Sequence, residues 1–240
     1  MATNAYPLRR LVLPGVFRPR SDTWLLADAG RREPLAAGAR VLELCAGPAL
    51  AGLSTVRGRR VSLTTVDVSR RAALCAALNG RLNGIRVRAL RGDLFEPVAA
   101  ERFDLILTNP PYVPGGEPPR GGAARAWEAG HDGRAVIDRI CERAPARLAP
   151  GGVLLIVHSE VCGVELTLRM LRAAGLYADI AAQHHGSLGP LLRSRRAVLE
   201  ARGLLTPGQA SEDVLVLRGR APAVRRIPRT SRRRPLPRHA

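Results

Sequence analysis

Four consecutive residues, Asn109-Pro110-Pro111-Tyr112, carry the clearest chemistry in the chain, directly after the apolar run 104–108. The Asn109 side-chain oxygen and the Pro110 carbonyl are two acceptors on one loop, able to take both N–H bonds of a planar NH2 group. An amide or exocyclic amino nitrogen is a poor nucleophile because its lone pair is delocalised. Holding both hydrogens turns that lone pair toward an electrophilic methyl and favours a pyramidal nitrogen in the transition state. Pro111 fixes the direction of the preceding carbonyl, and Tyr112 offers a flat face to the planar group. No strong base is required if the proton leaves after the methyl has transferred. A strand ended by a rigid Pro-Pro turn accounts for the prolines but not for Asn109 and Tyr112.

A second set of residues follows the earlier apolar runs. Glu43-Leu44-Cys45-Ala46-Gly47-Pro48-Ala49 closes the first, Asp67 the second and Asp93-Leu94 the third. Asp67, 24 residues beyond Glu43, is placed to accept hydrogen bonds from ribose hydroxyls. By itself it fits equally well as a cap on a helix starting near Ser69. The first turn lacks the GxGxxG run that brings a backbone against a pyrophosphate. An adenosine ligand with a methionine tail carries no phosphate and needs no such anion site. His184-His185 has no third ligand at metal spacing and reads as a strand end. The four cysteines (Cys45, Cys75, Cys141, Cys162) form no CxxC pair and read as free thiols in a reducing compartment.

These residues need a scaffold that places strand ends side by side. Apolar runs at 40–44, 61–66, 86–90, 104–108 and 153–158 are each bounded by Gly, Pro, Asn or Asp, and helical patterns at about 69–79, 133–148 and 162–174 separate them. Pro145 is expected to kink or shorten the second helix. Such alternation predicts an α/β, Rossmann-like, doubly wound sheet with ligands at the carboxyl ends of its strands. Further strands at 177–182 and 213–218, flanking a basic helix at about 191–202, predict seven strands, mostly parallel, with an antiparallel last strand. No internal repeat is present.

The chain has 240 residues and a formal charge of +18, from 38 basic and 20 acidic residues. Every basic residue is Arg, a bias that GC-rich codon usage would produce. Nine Arg and no acidic residue follow Asp213. Residues 219–240 read as a disordered Arg/Pro-rich tail. That tail and Arg193, Arg195, Arg196 and Arg202 are candidates for RNA or ribosome contact, and a solvated basic face is the plainer alternative. No segment has the length or apolarity to span a membrane, and no signal pattern opens the chain, so a cytoplasmic protein is expected.

Residues 10–218 resemble class I S-adenosylmethionine-dependent methyltransferases, and within them the HemK-type protein N5-glutamine methyltransferases of translation release factors. Besides NPPY, the resemblance lies in Val16-Phe-Arg-Pro-Arg-Ser-Asp-Thr-Trp-Leu-Leu26, similar to the segment before the core in the short single-domain branch, and in Glu128-Ala-Gly-His-Asp-Gly-Arg134. It implies a methyltransferase domain at 1–218, with 1–39 as a segment covering substrate and cofactor. It implies S-adenosyl-L-methionine as cofactor, lined by Thr23, Glu43, Cys45, Gly47, Asp67, Asp93, Leu94 and Asn109, with Asp67 at the ribose and Asp93-Leu94 at the adenine. Asn109, Pro110, Pro111 and Tyr112 would hold a glutamine amide of a protein substrate such as a release factor. Where the family has a GxGxG-like run, this chain has Cys45, Gly47 and Ala49 with Pro48 between the last two; an Ala49 forced to positive φ would cost about 1 kcal/mol. Three alternatives share these residues: methylation of an exocyclic amino group of a nucleic-acid base, methylation of a small molecule, and a relative with weakened cofactor binding and no catalysis.

Overall fold

In a computed structural model, residues 8–116 and 126–223 are described. Five parallel strands, β1 (Arg40–Leu44), β2 (Ser62–Asp67), β3 (Val87–Arg91), β4 (Phe103–Thr108) and β5 (Leu148–Ser159), are followed by β6 (Tyr177–Ser187) and β7 (Ser211–Arg220). They form one seven-stranded sheet in the order β3-β2-β1-β4-β5-β7-β6. β7 lies between β5 and β6 and runs antiparallel to both. The expected doubly wound sheet with an antiparallel last strand is therefore the fold.

Helices α1 (Ser21–Arg32), α2 (Leu50–Val56), α3 (Arg70–Leu82), α4 (Ile137–Arg143) and α5 (Val164–Ala173) cover the sheet, and α6 (Pro190–Arg193) and α7 (Arg196–Ala201) lie in the β6–β7 connection. Alternation along the central strands feeds two cores. Leu42, Leu44, Ile106, Leu154 and Ile156 pack with Ile137 and Ile140 of α4 on one face. Val41, Leu105, Leu107, Leu155 and Val157 pack with Leu26 and Leu53 on the other. That period of two is what a sheet buried on both faces requires. Strand order reverses between β1 and β4, so the crevice for a ligand opens above their carboxyl ends.

Several elements differ from expectation. Segment 1–39 was expected to cover the site, and Gly15, Val16, Phe17, Pro19 and Arg20 do line the cleft, as do Ser21, Asp22 and Thr23. Beyond that first turn, however, α1 turns into the fold, with Leu26 and Ala27 fully buried in the core. The helix expected at about 133–148 contracts to α4, because Gly133 turns at φ 78 and Pro145 leaves only a 3-10 turn, Ala144–Arg147. The basic helix at about 191–202 divides at Ser194-Arg195, where the Arg195 side chain turns inward to the Pro114 carbonyl at 2.8 Å. The tail was expected from residue 219. Instead β7 runs through Arg220, because Arg218 and Arg220 both bind Glu33 at the end of α1, and Gly151 N–H donates to the Pro222 carbonyl. The remainder of the expected tail, 224–240, lies outside the described residues.

Candidate active site

A cleft of about 870 Å³ sits over the switch point, lined by every residue proposed from the sequence: Thr23, Glu43, Cys45, Gly47, Asp67, Asp93, Leu94 and the run from Asn109 to Tyr112. Their elements explain the convergence. Glu43, Asp67 and Asn109 end or follow β1, β2 and β4, which are neighbours in the sheet. Asp93-Leu94 follows β3, and Thr23 lies in the first turn of α1.

The loop after β1 has an unusual backbone. Cys45, Gly47 and Ala49 take φ of 51°, 51° and 59°. Every second residue is left-handed, so the conformation that favours glycine persists with Cys45 and Ala49 in it. Ala49 directly precedes α2, which begins with no side-chain cap. The Pro48 carbonyl accepts from Asn79 Nδ2 at 2.9 Å, and Asp67 Oδ2 accepts from Gly47 N–H at 2.9 Å. Asp67 Oδ1 accepts from Ser69 N–H at 2.8 Å, while Ser69 itself caps α3 through Ala72 N–H. Asp67 thus joins two loops, and the cap on α3 is Ser69.

Glu43 points to the α2 side, where Gly52 N–H donates to its Oε2 at 2.9 Å. A Cβ on Gly52 would stand 2.4 Å from that oxygen, so only glycine admits the approach. Burial, opposed by the Gly52 hydrogen bond and reinforced by Asp67, pushes the Glu43 carboxyl up to about 8. Burial likewise raises the Cys45 thiol, with Asp67 adding to the effect; the thiol stays protonated. Asp93 forms an ion pair with Arg139 of α4, both about two-fifths exposed.

On the acceptor side, a loop built from 113–116 and 126–131 extends the NPPY run. Val113 N–H donates to the Trp127 carbonyl at 2.7 Å and Gly115 N–H to the Gly130 carbonyl at 2.8 Å. Arg195 pairs with Glu128, and Arg202 donates to the Gly115 and His131 carbonyls. Two of the arginines considered for RNA contact therefore have partners within the protein, Arg202 at its surface. His184 and His185 lie in β6, and His185 bonds Asp213 at 2.9 Å. The Tyr112 hydroxyl donates to Asp22 Oδ2 at 3.0 Å. Burial, then the carboxylates of Asp22 and Glu212, hold the phenol well above its ordinary value, so it keeps its proton.

Sequence reasoning missed Asp22, Glu212, Trp127 and Arg139, all of which line the cleft. Asp22 lay beside Thr23 in a segment already singled out, but no spacing rule joins it to a tyrosine 90 residues away.

A Rossmann-like sheet finished by an antiparallel strand, with a cleft edged by strand-end carboxylates and an Asn-Pro-Pro-Tyr loop, defines a methyltransferase. The chain belongs to the methyltransferase small domain family, whose model matches residues 22–182, and within it to the HemK-type protein glutamine methyltransferases. It is 31% identical over 176 residues to a putative protein N5-glutamine methyltransferase of Methanocaldococcus jannaschii, covering 71% of this chain and 85% of that one. It is 35% identical over 181 residues to the release factor glutamine methyltransferase of Bordetella pertussis, covering 68% of this chain and 63% of that one. Among solved structures, it matches that of the E. cuniculi Mtq2-Trm112 complex, responsible for methylation of the eRF1 translation termination factor. The match has a TM-score of 0.59 at 24% identity, covering 86% of this chain and 99% of that one. Among the described residues, no helix is long and apolar enough to cross a membrane.

Proposed function

We propose that the chain uses S-adenosyl-L-methionine to methylate the side-chain amide nitrogen of a glutamine in a protein, with a release factor as the leading candidate substrate. The observation that carries this reading is the juxtaposition of Asn109 and Pro110 with the strand-end carboxylates in one cleft.

The residues present fit the cofactor. Five carboxylates (Asp22, Asp67, Asp93, Glu128, Glu212), the protonated Glu43 and three arginines (Arg20, Arg139, Arg193) line the cleft. This donor set suits a cationic ligand bearing hydroxyls and opposes one bearing phosphates. Asp67 would take the ribose hydroxyls, Asp93-Leu94 the adenine, and Thr23, Glu43, Cys45 and Gly47 the remainder of the donor wall. When bound, the cofactor supplies an electrophilic methyl on sulfonium. The protein supplies orientation: Asn109 Oδ1 and the Pro110 carbonyl hold the two amide hydrogens, and Pro111 keeps that carbonyl in place. Tyr112 remains a neutral phenol and presents its ring. The same acidic lining disfavours a phosphodiester chain at the acceptor side, which is why a protein amide is preferred to a nucleic-acid base.

The test is methyl transfer to a peptide containing Gly-Gly-Gln, followed by mass spectrometry, in the wild type and in Asn109→Ala. The variant is expected to lose transfer while retaining most cofactor affinity by calorimetry. Wild-type turnover in Asn109→Ala would refute the two-acceptor mechanism.

A further inference from the structure

We propose that Asp22 is a positioning residue for the acceptor: its carboxylate, presented by α1, fixes the ring of Tyr112 across the cleft. The proposal rests on the reading above, in which the acceptor amide lies against Tyr112.

Asp22 is 5% exposed and receives three donors. Its Oδ1 accepts from Thr23 N–H at 2.6 Å and from the Thr23 hydroxyl at 3.2 Å, and its Oδ2 accepts the Tyr112 hydroxyl at 3.0 Å. An ionised carboxylate is an acceptor only and meets all three, through charge-assisted bonds. An amide has one oxygen, and with that oxygen on Thr23 N–H its NH2 would face the Tyr112 hydroxyl, which would then have to accept a neutral bond instead of donating a charge-assisted one. A carboxylate therefore holds the ring more strongly than an amide of the same shape.

Tyr112 is held at its other end as well. Its carbonyl accepts the Cys162 thiol at 3.0 Å, and the backbone of Gly133 packs so closely that a Cβ there would lie 2.3 Å from that carbonyl oxygen. With the main chain fixed, the ring retains freedom only about its own side-chain torsions. The bond to Asp22 removes that freedom. Because Thr23 shares the same carboxylate and also lines the cleft, one group links the donor wall to the acceptor face. A small misplacement of a positioning group lowers a rate up to about a hundredfold.

The chain has three tyrosines, so ring-carbon (13Cζ) labelling yields three signals, with that of Tyr112 assigned by its loss in Tyr112→Phe. In Asp22→Asn, the Tyr112 signal is expected to move while the other two stay. Turnover on the Gly-Gly-Gln peptide is expected to fall about tenfold or more, with cofactor Kd changed less than fivefold. Tyr112→Phe should lose a similar factor. The double variant should be no worse than the poorer single one, because both substitutions remove the same charge-assisted bond. An unmoved Tyr112 signal in Asp22→Asn overturns the proposal, as do losses that multiply in the double variant. If Asp22→Asn fails to fold, wild-type turnover in Tyr112→Phe overturns it, and a tenfold loss there supports it. If the wild type does not methylate the peptide, the glutamine reading fails, and the carbon shift alone decides whether Asp22 holds Tyr112.

Discussion

Glu43 sits where a carboxylate is hard to keep ionised. Its folded value near 8 lies above the ordinary 4.5, so the native state retains a proton that the unfolded chain releases between these pH values. Its contribution to stability is then full below about pH 4.5 and is lost as pH rises toward 8, at up to about 1.4 kcal/mol per pH unit. Glutamine keeps the shape and can still accept from Gly52 N–H, but never ionises. Glu43→Gln is expected to match the wild type in urea melts near pH 4 and to exceed it by about 2 kcal/mol or more at pH 8. Parallel stability curves from pH 5 to 8 would show that the carboxylate is ionised in the fold. The neighbouring loop illustrates a different residue-scale point. Ala49 and Cys45 hold φ near 50–60° without glycine, a strain of about 1 kcal/mol each. For Ala49 it is offset by lower unfolded-chain entropy, about 0.4–1 kcal/mol, and by a fully buried methyl, about 0.8 kcal/mol. The loop geometry therefore survives the loss of two glycines.

At the scale of elements, the strands were legible because a doubly covered parallel sheet is written as continuous apolar runs ended by Gly, Pro, Asn or Asp. α1 and α2 were not. All seven residues of α2 are buried, which erases the polar stripe that reveals a helix, and its start has no capping side chain. α1 buries Asp22, Thr23, Ala29 and Gly30, small or polar residues that read as a loop. The site followed the same division: residues at strand ends were found from the strand pattern, whereas Asp22 and Glu212 reach it from elements distant in sequence. Gly30 shows how closely the two unrecognised helices pack. A Cβ there would stand 2.4 Å from Thr55 Oγ1 and 3.2 Å from Leu107 Cδ2. Gly30→Ala gains about 1 kcal/mol of helix propensity but overpacks the contact at a cost of about 1–3 kcal/mol. A net loss of about 1 kcal/mol is expected in urea melts. Thr55 Oγ1 is buried with no partner among the described residues, so adding Thr55→Ala to Gly30→Ala should restore most of that loss. No recovery in the double variant would place the obstruction at Leu107 instead.

For the whole molecule, the sign of the charge depends on location. Against 38 basic and 20 acidic residues overall, the cleft carries five carboxylates, the protonated Glu43 and three arginines. Several arginines near the cleft and in β7 have partners within the protein: Arg195 with Glu128, Arg202 with two carbonyls, Arg218 with Asp179 and Glu33. Residues 224–240 hold seven Arg and no acidic residue. This is the densest run of uncompensated positive charge in the sequence, and a polyanion is expected to meet the protein through it. Neutralising Z phosphates of a single strand gives a slope of log affinity against log salt near −0.7Z, so seven arginines allow a slope of up to about −5. Full-length protein should bind a single-stranded RNA oligonucleotide with a steep slope in fluorescence anisotropy. Replacing these seven arginines with glutamine should flatten it to near −1 or less. Saturating RNA should leave methyl transfer to the Gly-Gly-Gln peptide unchanged, because the acidic lining repels phosphate over a screening distance of about 8–10 Å. A slope that survives the replacement would put the polyanion surface on the folded body, and competition between RNA and peptide would put it at the cleft.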